Sequence, residues 1–245
     1  MWTCRMSWAV LPPVYSVCVA AGLWLVYFIA VYYENITPLT SQYRIRNGSM
    51  YPPYISIAGN FPPVSCIFSE VMNLAAFGGF VIAVLRYVQL RNKVDKPWLN
   101  VCSLVVFSVA CFGMTIVGNF QLFTQERIHN WGSGLTFVPG LAFCWVQSYI
   151  TLRVNLRNEG RRAAAVRFLL SASITVCMIF NFSLMYLRFH IHAARCQWAQ
   201  VMLLLIFIST FALEFHHSSF NVACSEASER PVLYLEESMQ QLEQL

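Results

Sequence analysis

The sequence predicts an all-α integral membrane protein, with six transmembrane helices in one bundle and a structured first extracellular loop. Three observations predict it. Six apolar runs, at about 8–32, 65–87, 98–118, 131–152, 164–187 and 196–215, cross a chain of 245 residues. Hydrophobic residues make up 58% and charged residues 11%, about half the charged share usual in a soluble domain. The basic residues alternate from loop to loop. Each run is about as long as the ~20 residues that carry an α-helix across a hydrocarbon core. Most runs are apolar on every face, whereas a soluble amphipathic helix keeps a polar side. Lipid offers no water to the backbone, so each run must satisfy its own N–H and C=O groups as a helix. Residues 1–215 therefore read as one six-helix domain and 216–245 as a tail.

The first run is too long for the apolar core of a signal peptide and lacks a small-residue cleavage site before Glu34, so it reads as a retained signal anchor. Pro12 and Pro13 lie near its start, where proline costs a helix least. Loop one, 33–64, holds two glycosylation sequons, at Asn35 and Asn47. Glycans are added on the luminal side, which places this loop outside the cytosol. A third sequon, at Asn181, lies inside the fifth run and should be inaccessible. Tyr51-Pro52-Pro53-Tyr54 and Asn60-Phe61-Pro62-Pro63 fix φ at several positions. Between them, 54–59 alternates in the manner of a short strand. Loop one is expected to be a compact cap, with a polar and mobile stretch near 43–50.

The loop after the second run holds Arg86, Arg91, Lys93 and Lys96, and the loop after the fourth holds Arg153, Arg157, Arg161, Arg162 and Arg167. The odd loops hold fewer: Arg44, Arg46, Arg127, Arg188 and Arg195. The positive-inside rule then puts both termini in the cytosol, as an even number of spans requires. The net charge of +5 is explained by topology and needs no nucleic-acid partner. The basic loops also face anionic lipid headgroups. The tail carries Glu226, Glu229, Glu236, Glu237 and Glu243, with Val232, Leu235, Met239 and Leu242 at helical spacing. It reads either as a solvated end or as a short amphipathic helix that docks on a cytosolic partner.

No nucleophile elbow, phosphate-binding glycine loop or zinc-protease pattern occurs, so an enzyme, a cofactor and a metal site are not expected. The histidines, His129, His190, His192, His216 and His217, read as interfacial. Most cysteines (Cys18, Cys102, Cys111, Cys144, Cys177) lie within spans and act as small apolar residues. Cys66 and Cys196 fall at the outer ends of helices, where an oxidising side permits a disulfide between them. Cys224 is a candidate for palmitoylation.

Polar residues inside the spans are the better lead, because they are costly there. These are Glu70 with Asn73 three residues on, Asn119 and Gln121 at the end of the third run, Gln147, Asn181, and Glu214 at the end of the sixth. They read either as interhelical hydrogen bonding or as a polar ion path in which Glu70 attracts cations. One acidic residue per chain cannot form a ring, so a pore would require a homo-oligomer or other channel subunits.

Pro53-Tyr54-Ile55-Ser56-Ile57-Ala58-Gly59, then 62–68, then Asn73, resemble the loop-one signature of the damage-regulated autophagy modulator (DRAM) and transmembrane protein 150 family. Gly118-Asn119-Phe120-Gln121 resembles that family's motif closing the third helix, and Arg195-Cys196-Gln197-Trp198 the start of its sixth. Within the family, 22–31, 112–115, 154–162 and 170–175 are most similar to the tentonin (transmembrane protein 150C) branch, while Cys196 matches sister branches instead. The resemblance implies a plasma-membrane component or modulator of a mechanosensitive, non-selective cation channel with slowly inactivating currents. The sister branches imply two alternatives. One is a modulator of autophagy at plasma, endosomal, lysosomal or autophagosome membranes, and the other is a phosphoinositide-kinase scaffold at the plasma membrane.

Overall fold

The computed structural model describes residues 8–41, 50–154, 160–216 and 218. A 3-10 turn, Trp8–Val10, leads into α1, Leu11–Tyr32. A one-turn helix in loop one, α2, spans Ile55–Ala58. The long helices α3 (Val64–Leu90), α4 (Pro97–Asn119), α5 (Glu126–Arg153), α6 (Gly160–Tyr186) and α7 (His190–Ser209) follow, and a last turn, α8, covers Ala212–Phe215. Six helical segments are long and apolar enough to cross a membrane. The chain is an all-α multi-pass membrane protein, and no strand forms among the described residues beyond an isolated bridge between Ile36 and Tyr51.

Short connections force neighbouring spans to run antiparallel. The main contacts form a closed ring: α1 on α3, α3 on α4, α4 on α5, α5 on α6, α6 on α7, and α7 back on α1. At one end, called here the capped end, loop one lies over the ring. The other, basic end carries the α3–α4 turn and the last turn of α5. Two apolar clusters divide the core accordingly. One gathers Leu23, Val26, Ile55, Phe68, Val117 and Trp198 under the cap; the other gathers Phe107, Phe143, Phe207, Phe211 and Phe215 toward the basic end.

Helices α4 and α5 cross closely. A Cβ at Gly113 would sit 2.7 Å from the Thr136 backbone N and 2.8 Å from the Gly132 carbonyl oxygen. Backbones meet there because neither residue carries a side chain, the usual device of packing where lipid and protein are equally apolar. Side-chain bonds add register. Tyr15 Oη donates to the Ala75 carbonyl (2.9 Å) and Ser16 Oγ to the Leu205 carbonyl (2.7 Å), tying α1 to α3 and α7.

Four expectations are corrected. Residues 54–59 form a helical turn, not a strand. A lone strand would leave its backbone unpaired, whereas the turn bonds Ala58 N to the Tyr54 carbonyl (2.9 Å) and Gly59 N to the Ile55 carbonyl (3.2 Å). The fourth span begins at Glu126, so Arg127 is helical; an acidic first turn suits the positive end of the helix dipole. The last span begins at His190, which places His190, His192 and Arg195 in its first turns. Arg188, with φ 65°, reverses the chain directly after α6 and makes the longer helix feasible. Finally, Arg86 and Arg167 are not loop residues: both lie inside helices and are buried.

The cap is bonded, not draped. Trp198 Nε1 donates to the Pro53 carbonyl (2.9 Å), and Gln197 Oε1 accepts from Ile55 N (3.0 Å). Arg195 donates to the Leu39 carbonyl (2.8 Å) and the Ser41 carbonyl (3.2 Å). Tyr27 Oη accepts from Leu39 N at 2.8 Å. Trp24 stacks on Trp198 with centroids 4.6 Å apart. Tyr54 Oη lies 3.3 Å from His190 Nδ1, and burial pushes the Tyr54 phenol up to about 12, so it keeps its proton at neutral pH. The expected mobile stretch near 43–50 lies, apart from Met50, outside the described residues.

Candidate functional site: a buried charge cluster on a closed axis

The basic end holds the most unusual chemistry in the fold. Arg86 of α3, Arg167 of α6 and Glu214 of α8 converge with side chains 1%, 0% and 9% exposed. Arg167 grips both carboxylate oxygens, Nη1 to Oε1 at 2.5 Å and Nη2 to Oε2 at 2.6 Å. Arg86 Nη2 donates to Oε1 at 3.2 Å. Thr151 Oγ1 accepts from Arg167 Nη1 (2.5 Å) and from Arg86 Nη2 (3.4 Å). The remaining N–H groups find amides and hydroxyls. Arg86 Nε donates to Gln147 Oε1 (3.1 Å) and Nη1 to Gln89 Oε1 (2.6 Å), while Arg167 Nε donates to Thr210 Oγ1 (2.9 Å). Both guanidinium groups lie over the Phe211 ring, at 5.1 and 4.6 Å.

Two cations against one anion leave a net positive charge in a region without bulk water. Removing such ions from water costs several kcal/mol each, so the cluster persists only because nearly every group is bonded. The network ties together α3, α5, α6 and the α7–α8 corner. Gln147 Nε2 extends it to α4 by donating to Ser103 Oγ at 2.7 Å. Gln89 Nε2 reaches the Glu214 carbonyl (2.9 Å) and the Oγ of Ser218 (2.6 Å), the last described residue of the chain.

Beyond the cluster the axis is filled. Phe143 stacks on Phe107 with centroids 4.2 Å apart and meets Phe207 at 6.5 Å and Phe211 at 6.1 Å. Farther toward the cap lies a cavity of about 80 Å³ bounded by Tyr15, Met72, Phe137, Val201 and Leu204, with Ser56 and Gln197 at its cap side. Its lining is almost wholly apolar. From cap to basic end the axis thus runs through bonded loop, apolar cavity, aromatic plug and ion cluster.

The residues expected to mark a polar path do not line this axis together. Glu70 is exposed on α3. Asn73 and Asn119 pair through two reciprocal amide bonds, at 3.2 and 3.0 Å, near the capped end. Gln121 sits in the turn after α4, its carbonyl accepting from Thr124 N and Gln125 N. Gln147 is buried at the opposite end, in the ion cluster. Asn181 is buried in α6, and its Oδ1 has no hydrogen-bond partner. Cys66 and Cys196 stand as free thiols, Cys66 exposed and Cys196 half-buried, without the bridge that their places at helix ends permit. Cys66 points outward while its neighbours Ser65 and Phe68 turn into the core, and α1 packs between α3 and α7. Asn35 is half-buried in the turn after α1; Asn47, Cys224 and the tail's glutamates lie outside the described residues. The cluster itself had a signal in the sequence. Arg86 and Arg167 fall inside the apolar runs, where an ionisable group calls for a partner, but the tally of loop charges absorbed them.

Together these features define a class: a six-helix multi-pass membrane protein with a structured cap and a closed axis, and with no cluster of metal-ligating side chains among the described residues. Its family follows from comparison. Residues 7–218 match the family described as Frag1/DRAM/Sfk1/Cwh43P N-terminal domain, and the chain belongs to it. Among its relatives, "Modulator of macroautophagy TMEM150B" of Danio rerio is 33% identical over 221 residues, covering 90% of this chain and 89% of that one. The Homo sapiens protein of the same name is 31% identical over 210 residues, covering 84% and 85%. Transmembrane protein 150A of Homo sapiens is 30% identical over 235 residues, covering 85% and 84%. No solved structure matches.

Proposed function

We propose that the chain is a non-conducting, non-enzymatic modulator of macroautophagy, embedded in the plasma membrane or in endosomal and lysosomal membranes with both termini cytosolic. The observation that carries this reading is similarity to a relative named for that role, at 33% identity over 90% of the chain. The filled axis supports it: aromatic rings and a bonded ion cluster occupy the line along which a single-chain pore would run. The mechanosensitive-channel reading rests on the resemblance to the tentonin branch, and no structural observation favours it over the autophagy reading.

The direct test is autophagic flux. Cells lacking the chain, and cells overproducing it, are compared for turnover of an autophagosome marker with and without lysosomal inhibition. The proposal expects flux to change in opposite directions in the two lines. Unchanged flux in both, with the protein correctly inserted, would overturn it.

A further inference from the structure

At the basic end a cleft of about 180 Å³ opens between the α3–α4 turn and the last turn of α5. Lys96, Asp95 and Arg153 supply its charges, and Leu99, Ile150 and Tyr149 its walls. We propose that this cleft binds the headgroup of an anionic aminophospholipid of the phosphatidylserine type.

Charge complementarity selects the ligand. Lys96 and Arg153 offer two cations and Asp95 one anion. A phosphatidylserine headgroup offers the converse, a phosphate and a carboxylate against one ammonium. Phosphatidylcholine lacks the second anion, and its quaternary ammonium cannot donate a hydrogen bond to Asp95. Arg153 is held in place for this role: its Nε donates to Tyr149 Oη at 3.1 Å, and its guanidinium carbon lies 5.3 Å over the Tyr149 ring. A guanidinium so oriented suits the planar, two-oxygen geometry of phosphate or carboxylate. Lys96 is the N-cap residue of α4, directly before Pro97, so the start of the helix sets its backbone position at the cleft.

Depth agrees with the chemistry. Trp98 is 60% exposed, two residues from Lys96, and Leu152, beside Arg153, is 45% exposed. An exposed Trp at a helix end sits at the membrane–water interface, which sets the cleft at headgroup level. The apolar side chain of Leu99, partly exposed, then faces the glycerol and the first acyl carbons.

Native mass spectrometry of the full-length protein in detergent, with phosphatidylserine, phosphatidylglycerol or phosphatidylcholine added, reads the binding. Phosphatidylserine adducts should exceed both others. The variant Lys96→Ala/Arg153→Gln should weaken them roughly thirtyfold, at ~1 kcal/mol per basic group. Asp95→Asn should reduce the preference over phosphatidylglycerol. The control Arg91→Gln/Lys93→Gln, on the same turn outside the cleft, should bind as the parent does. These side chains are exposed, so all variants should melt with the parent. Undiminished binding by Lys96→Ala/Arg153→Gln, or an equal loss in the control, would overturn the site. Displacement of the lipid by free phosphoserine at matched concentration would overturn the assignment to a lipid in favour of a soluble anion.

Discussion

Arg167 holds Glu214 by both oxygens inside the bundle, at 2.5 and 2.6 Å. Arg86 shares only Oε1 of the same carboxylate, at 3.2 Å. This asymmetry orders the consequences of substitution. Glu214→Gln leaves two guanidinium groups facing each other without an anion and should cost about 3–5 kcal/mol. Arg86→Met leaves a neutral, two-pronged pair and should cost less. Thermal denaturation of the purified variants in detergent tests the order; an Arg86→Met protein less stable than Glu214→Gln would contradict the geometry.

The crossing at Gly113 predicts a sharp positional contrast. Gly113→Ala drives a Cβ into the Thr136 backbone N and the Gly132 carbonyl and should cost about 1–3 kcal/mol from overpacking. At Gly134 an added Cβ meets nothing within 4 Å, so Gly134→Ala should melt with the parent. Equal effects at the two sites would mean that α4 and α5 cross elsewhere.

Trp198 is the latch of the cap: 3% exposed, stacked on Trp24 and bonded to the Pro53 carbonyl. Trp198→Ala should cost about 3–5 kcal/mol, while Trp198→Phe, which keeps a ring and loses the hydrogen bond, should cost about 1 kcal/mol. Limited proteolysis reports the latch separately from global stability. Loop one should be cut fastest in Trp198→Ala, and equal cutting rates in all three proteins would show that the cap is held by other contacts.

The pair Asn73–Asn119 carries a double-mutant test. Interhelical polar bonds in membranes couple by about 0.6 kcal/mol, so Asn73→Ala and Asn119→Ala should be non-additive by that order. Full additivity would mean that the two amides do not meet.

Much of the fold was legible because bilayer physics leaves few alternatives. The six spans were visible as apolar runs, and 8–32 matches the observed helical segment end to end. Boundaries failed where polar side chains still belong to a helix, as with Glu126 and Arg127 in α5 and the histidines that open α7. The strand reading of 54–59 failed because the turn is covered on more than one side: Ile55, Ile57 and Ala58 are all buried, so apolar alternation there does not report a strand's two faces. The ion cluster was the deepest miss. A charge at a run's edge reads equally as a topology signal or as a buried partner, and only the tertiary meeting of α3, α6 and α8 separates them. Gln147 was legible as a polar residue within a span, but its pairing with Arg86 was not.

Recording from the purified protein in planar bilayers under applied tension tests the central claim most directly, since no other subunit is present. The filled axis and the proposed role predict a silent membrane at every tension the bilayer survives. Unitary cation currents that arise with tension, and that diminish in Glu70→Gln, would contradict the account and restore a conducting path outside the axis described here.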